Sequence, residues 1–156
     1  MRRNDREIKD ISSVLKIIET CDVCRLAFSD GIYPYIIPMN FGFSFENGIL
    51  NLFFHCANNG KKLDILRKNS NVCFEFDRQC KLIEGEKACD YSVESESVIG
   101  FGTAEIINKK SEKTNALLHL MKQYSPQNEF SIPENMLDKV TVFKVASTNF
   151  TGKKIN

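Results

Sequence analysis

Histidine is nearly missing from this chain: there are two in 156 residues, at 55 and 119, so little material exists for imidazole chemistry or a histidine-rich metal site. A charge excess is missing too. Lys and Arg number 21 against 20 Asp and Glu, a formal net charge of +1, so no broad field recruits nucleic acid or an anionic membrane, and any anion recognition has to be local. No apolar run approaches the roughly 18 to 20 residues that cross a bilayer. The opening Met1-Arg2-Arg3-Asn4-Asp5-Arg6 has no apolar segment of the kind a signal peptide carries. A cytoplasmic protein with neither membrane nor nucleic-acid partner is the expectation. The motifs of the common hydrolases and dinucleotide enzymes are also lacking: no nucleophile elbow, no glycine fingerprint and no HExxH.

What is present fits one domain over residues 1–156, large enough for a core without staples. Six cysteines are available, but Cys24, Cys56 and Cys73 lie in apolar, strand-like runs, where a free thiol acts as a small hydrophobe. Cys21-x-x-Cys24 has the spacing of a metal or redox half-site. No second half-site follows, so no metal site is assigned.

Periodicity orders the chain. Ile8, Ile11, Val14 or Leu15 and Ile18 predict an amphipathic helix over about 7–20. Val23 to Phe28 reads as a strand closed by Ser29-Asp30-Gly31. Tyr33 to Phe45 reads as one long strand, and Asn47-Gly48 then signals a hairpin into Ile49–His55. A short helix at about 60–69 precedes an alternating strand at 72–76. Residues 78–94 show no period and read as a loop. Glu96 to Ile107 is a strand interrupted by Gly100 and Gly102, which mark a bulge or a close approach. A helix from about Ser111 carries Leu117, Leu120, Met121 and Tyr124, and Val140–Val145 is a last strand. Many non-adjacent strands with few helices predict a mainly β fold, a small antiparallel barrel with peripheral helices.

The most informative stretch is Phe53-Phe54-His55-Cys56-Ala57-Asn58-Asn59-Gly60-Lys61-Lys62. A strand runs into an Asn-Asn-Gly turn, and a helix then opens on two lysines. The first N–H groups of a helix lack internal partners and the dipole there favours anions. Two ammonium groups at that end oppose the dipole unless an anion stands before them. Without one, the stretch is a solvated turn with surface lysines. His55 ends the strand just before the turn. It either hydrogen-bonds the turn backbone or contacts a ligand as a neutral donor. His119, beside Asn115 and Gln123 on a polar helix face, reads as a surface residue.

With no base paired to a nucleophile, a bound cofactor with its own reactivity is the simplest source of chemistry. In Tyr35-Ile36-Ile37-Pro38-Met39-Asn40-Phe41, Pro38 removes a ladder donor and confines the segment to an edge or bulge. Backbone groups left free there can meet a planar heterocycle. The alternative is an edge strand whose proline discourages aggregation.

Four segments in this order resemble one family: Tyr33-Pro34-Tyr35-Ile36-Ile37-Pro38-Met39-Asn40-Phe41, Phe54-His55-Cys56-Ala57-x-x-Gly60-Lys61-Lys62, Asn69-x-x-Val72-Cys73-Phe74-Glu75 and Ser97-Val98-Ile99-Gly100-x-Gly102. They resemble the nitroimidazole-resistance branch of the pyridoxamine 5′-phosphate oxidase-like flavoproteins, over nearly the whole chain. The resemblance implies an FMN-binding split β-barrel, antiparallel and Greek-key-like, working as a homodimer with flavin between the subunits. It places Lys61 and Lys62, with backbone at Cys56, Ala57 and Gly60, around the FMN phosphate, and His55 beside the phosphate or ribityl chain as the candidate catalytic group. Ile37, Pro38, Met39 and Asn40 are placed along the isoalloxazine, and Ser97 and Val98 among contacts from the partner subunit. The implied activity is reduction of a small acceptor such as a nitroaromatic. The alternatives are a flavin module without turnover, or a split barrel holding haem or a deazaflavin. Where the family has an aromatic and then a basic residue before Ser97, this chain has Ser95 and Glu96.

Overall fold

The structure, a computed structural model, describes residues 3–125, 127 and 129–155. After a 3-10 turn at Asn4–Arg6 come β1 (Glu7–Ile8), α1 (Ile11–Thr20), β2 (Cys24–Asp30), β3 (Tyr33–Met39), β4 (Gly42–Glu46), β5 (Ile49–Cys56) and α2 (Lys61–Lys68). They are followed by β6 (Asn71–Ile83), β7 (Ser92–Ile107), α3 (Lys110–Tyr124), α4 (Glu134–Leu137) and β8 (Thr141–Ile155). The strands form one antiparallel sheet ordered β3-β2-β6-β7-β8-β5-β4, with β1 added to β8. β3 and β4 are consecutive in the chain yet occupy opposite ends of that order. The chain therefore crosses the seam of a rolled sheet within two residues, Asn40 and Phe41. This is the expected antiparallel split barrel.

Alternation builds the interior. Leu26 and Phe28 of β2, Leu50, Leu52 and Phe54 of β5, Val72, Phe74 and Phe76 of β6 and Val98 of β7 turn inward with Phe41 of the seam. Phe41 meets Phe76 edge-on at 4.8 Å, and Phe54 stacks on Phe143 at 5.2 Å. Each fully buried ring contributes about 1.5–3 kcal/mol. Val14, Ile17 and Ile18 of α1 and Leu63, Ile65 and Leu66 of α2 join the same core. The two short helices thus pack on the barrel from its periphery, each burying one apolar face against the core.

Four sequence expectations change. The first helix starts at Ile11, not 7, because Asp10 caps it: its carboxylate accepts the Ser13 N–H at 2.9 Å, and the Ser12 and Ser13 hydroxyls hold it down to about 2. Glu7 and Ile8 pair with Lys153 and Gly152 instead. The long strand from Tyr33 breaks at Asn40-Phe41 into β3 and β4. Residues 78–94 are no loop: β6 runs to Ile83 and β7 starts at Ser92, with a 3-10 turn at Ala88–Asp90 between them. Side chains of opposite sign on different strands stabilise that arm. Arg78 Nε donates to Glu96 at 2.8 Å, and Lys154 of β8 stands 3.7 Å from the same carboxylate. Lastly, the final strand continues from Val145 to Ile155. The Asn47-Gly48 hairpin is as expected, both residues having positive φ, and β7 shifts register against β8 between Phe101 and Thr103, where Gly102 sits.

Candidate functional site

The corner between β5 and α2 is set by backbone. Gly60 precedes α2 at φ 140, ψ 160, a conformation closed to side chains, and open space surrounds the point where a Cβ would stand. Its carbonyl accepts from Leu63 and Asp64, while Gly60 brings no side chain to cap the N–H groups of Lys61 and Lys62. Asn58 fixes the preceding turn: its amide donates to the Asp138 carbonyl at 2.9 Å and accepts from the Thr141 hydroxyl at 2.9 Å. The corner is thereby tied to the start of β8. Its capacity follows: two outward N–H groups at the positive end of a helix dipole, with open access, are built to accept an anion.

The two lysines differ. Lys61 reaches to the β2–β3 turn, where its ammonium pairs with Asp30 at 2.7 Å and lies 4.9 Å from the centre of the Tyr35 ring. The hydrogen bond from Lys61 to the Asp30 carboxylate raises the ammonium above its ordinary value. Lys62 lies near Cys56, whose thiol is pushed up by burial and pulled back by the Lys62 charge. One lysine thus arrives with a carboxylate already attached, and the other faces the end of β5. Asp30 and Tyr35 were not assigned roles from sequence. A carboxylate thirty residues away gives no local signal that it will meet a lysine.

Among the other candidates, Ile37, Pro38 and Met39 do form the end of an edge strand, since β3 closes the sheet order, and Asn40 follows directly after it. Pro38 is exposed and pairs in register with Arg25, so its missing N–H costs the ladder nothing on the open side. Met39 is buried; Asn40 is exposed, and its amide is 3.4 Å from the Asp22 carbonyl. His55 is exposed, and alternation puts it on the opposite face of β5 from Cys56. Ala57 and Gly60 lie in the exposed turn itself. Ser97 and Val98 lie apart from this corner on β7, paired with β6 and β8. Val98 is fully buried in the core, so its side chain is unavailable to a ligand or a partner; Ser97 turns the other way.

Ser97 belongs to an outer face with uncommon composition. Register aligns Ile36, Ala27, Cys73 and Phe101 across four strands, and Pro38, Arg25, Glu75 and Ile99 in the next row. Ile36, Ile99 and Phe101 are 59%, 46% and 57% exposed. A cleft of about 630 Å³ opens on this face, lined by Ala27, Pro34, Cys73 and Phe101, and its rim includes Ser29 and Gly31 on either side of the Asp30 that holds Lys61. All six cysteines are free; burial pushes the Cys21 thiol up to about 11 and holds the Cys24 thiol well above its ordinary value, so neither is an activated nucleophile. Among the described residues, no group of three His, Cys, Asp or Glu side chains could hold a metal, and no helix is long and apolar enough to cross a membrane.

The sequence matches the pyridoxamine 5′-phosphate oxidase family profile over residues 10–154. The chain belongs to the pyridoxamine 5′-phosphate oxidase family. Within that fold it is similar to a candidate 5-nitroimidazole antibiotic resistance protein from Bacteroides thetaiotaomicron, with 35% identity, coverage of 95% of this chain and 86% of that one, and a TM-score of 0.82. The flavocytochrome Anf3 of Azotobacter vinelandii aligns over 100% of this chain and 72% of its own at 16% identity and TM-score 0.81. An FAD- and haem-binding protein of Mycobacterium smegmatis aligns over 96% and 73%, again at 16% and 0.81. At that identity the last two speak for the fold alone. No curated protein matches the chain. Ser95 and Glu96, the two positions set against the family resemblance above, lie on β7 just before Ser97. The Glu96 side chain is only 13% exposed and is neutralised by Arg78 and Lys154.

Proposed function

We propose that the protein is an FMN-dependent oxidoreductase that reduces a small acceptor, a nitroaromatic such as a nitroimidazole being the leading class, and that it works as a homodimer. The carrying observation is the uncapped start of α2, with Gly60 at positive φ and Lys62 beside it, on a family scaffold whose edge strand β3 leaves backbone groups unpaired. The fit to FMN is local and chemical. The terminal phosphate takes the Lys61 and Lys62 N–H groups and the Lys62 ammonium, and Lys61 joins by leaving Asp30. Ile37 to Asn40 offer main-chain donors and acceptors to a planar ring, and Asn40 and Pro38 are open to it. When bound, FMN supplies the electron transfer for which the chain itself has no group. His55 is the nearby candidate proton donor.

The exposed apolar rows on β3, β2, β6 and β7 support the homodimer. Ile36, Ile99 and Phe101 on one face are a typical signature of a covered surface, and Pro38 and Ser97 share that face, so a second copy seated there would bring its Ser97 near the flavin edge. The expected protein is yellow when purified, bleaches with dithionite, and runs as a dimer that Phe101→Glu splits. Colourless protein with no thermal shift on adding FMN overturns the cofactor assignment. A wild-type monomer overturns the assembly.

One observation favours a second reading. His55 stands exposed with no carboxylate or nucleophile hydrogen-bonded to it among the described residues, which suits a flavin module without turnover. Re-oxidation of the reduced protein by nitro compounds faster than free reduced FMN rejects that reading. Haem is separated by titration: a Soret band lost in His55→Ala replaces FMN, and none leaves it.

A further inference from the structure

The end of α3 grips the seam of the barrel. The Tyr124 hydroxyl accepts the N–H of Phe41 at 3.0 Å and donates to the carbonyl of Asp22 at 2.8 Å. The same Asp22 carbonyl lies 3.4 Å from the Asn40 amide. The Tyr124 ring meets the Phe41 ring edge-on, at 6.4 Å and 81°. Next to it, the Gln123 amide donates to the carbonyls of Glu19 and Cys21 at 2.9 and 3.0 Å. One turn back, α3 lies so close to β4 that a Cβ on Gly42 would stand 2.3 Å from the His119 carbonyl carbon. So α3 is fixed against β4, and from there two side chains reach across to α1, the link from α1 to β2 and the Asn40-Phe41 crossing.

Residues 40 and 41 have no ladder partners, because they leave one edge strand and enter the other. Edge backbone of this kind is the part of a barrel most free to shift, and it is continuous with Ile37, Pro38, Met39 and Asn40. We infer that Tyr124 is a positioning residue for the flavin-facing edge: by holding the Phe41 N–H and the Asp22 carbonyl through one hydroxyl, it sets where residues 37–40 stand. The inference rests on the FMN reading above. Tyr124 touches neither phosphate corner nor lysines, so its effect reaches the ligand through the strand.

The experiment compares wild type, Tyr124→Phe, and Phe150→Leu, a control that trims the Phe45–Phe150 edge pair in the core away from the seam. Measured are thermal midpoint, FMN dissociation constant by fluorescence quenching, circular dichroism of bound flavin, and hydrogen exchange at the Phe41 amide. Removing the hydroxyl breaks both of its hydrogen bonds at the seam and predicts FMN binding about fivefold weaker in Tyr124→Phe, with an altered flavin dichroic band and faster exchange at Phe41. Phe150→Leu lowers the thermal midpoint but keeps the wild-type constant and band. Wild-type FMN affinity and an unchanged band in Tyr124→Phe overturn the inference alone, as does an equal loss in Phe150→Leu. Wild-type protein that takes up no FMN overturns the flavin reading and this assignment together.

Discussion

The β5–α2 corner and the β6–β7 arm are built on opposite plans. The corner is made within ten residues: an alternating strand ends, a glycine at positive φ turns the chain, and a helix starts. Its polar N–H groups are left outward. The arm is made across the sheet, from Arg78 on β6, Glu96 on β7 and Lys154 on β8, and its charges are satisfied among themselves. A site for a ligand leaves bonding capacity unspent, whereas a structural network uses it up. By that measure the corner has the bonding capacity that the proposed anchor requires, and Glu96, held by Arg78 and Lys154, is a neutralised strut.

The largest effect tests the corner. Replacing Lys61 and Lys62 together by alanine removes charge-assisted contacts of about 1.5–3 kcal/mol each to a phosphate, so FMN affinity falls at least tenfold, measured by fluorescence titration, with the thermal midpoint of the apoprotein little changed. Equal affinity in the double variant would place the anion elsewhere and collapse the distinction between the two regions.

Next in size, single replacements split the pair of lysines. Lys62→Ala is expected to weaken FMN several-fold more than Lys61→Ala, because Lys61 must leave Asp30 before it can serve the phosphate. Asp30→Asn sharpens this: it frees Lys61 and strengthens FMN binding, and the gain disappears when Lys61 is already alanine. Additive rather than dependent effects in that double-mutant cycle count against competition between Asp30 and the ligand.

The arm gives a smaller and different signature. Arg78→Ala leaves Glu96 with Lys154 alone at 3.7 Å. Arg78 is more than a third exposed, so solvent discounts the pair and the expected cost is about 1 kcal/mol of stability by urea titration, with no change in FMN affinity. A loss of flavin binding without loss of stability would make the arm part of the site.

The same contrast explains what could be read from sequence. The corner was legible because each of its signals is local: period two, then Asn-Asn-Gly, then Lys-Lys before Leu63 and Leu66. So was the hairpin at Asn47-Gly48. The arm was not, because Arg78, Glu96 and Lys154 have no pattern within their own segments; residues 78–94 look aperiodic until their partners are known. The break at Asn40-Phe41 was hidden for a related reason. Aromatic and β-branched residues continue through it, and only the burial of Phe41 between the edges of a closed sheet reveals the crossing. The expectations of FMN and of a dimer come from the family resemblance and are stated by no single side chain; the resemblance also grouped Val98 with Ser97, where the structure separates a core side chain from an outer one.

The smallest effect concerns how far the corner depends on its supports. His119 of α3 stacks on Phe53 of β5 at 4.8 Å and 15°, so the strand that carries the corner leans on an imidazole. Burial, and then the nearby Lys122 charge, lower the His119 pKa; the main chain of Phe43 and the Glu46 carboxylate oppose them. Glu105 of β7, Lys144 of β8 and Glu112 and Asn115 of α3 line the hollow beside it. A base whose pKa falls on folding binds fewer protons in the folded state than in the unfolded one. Its contribution is therefore complete above the unfolded value of about 6.5 and is lost as pH drops below it toward the folded value. Wild-type protein should lose thermal stability between about pH 7 and the acid side of that window by more than His119→Gln does, the difference amounting to a degree or two. FMN affinity at neutral pH should be the same in both, because the corner is held by Asn58, Thr141 and Gly60 rather than by α3. An affinity that follows His119 instead would mean the corner borrows its geometry from the helix, and the local plan assigned to it would no longer stand.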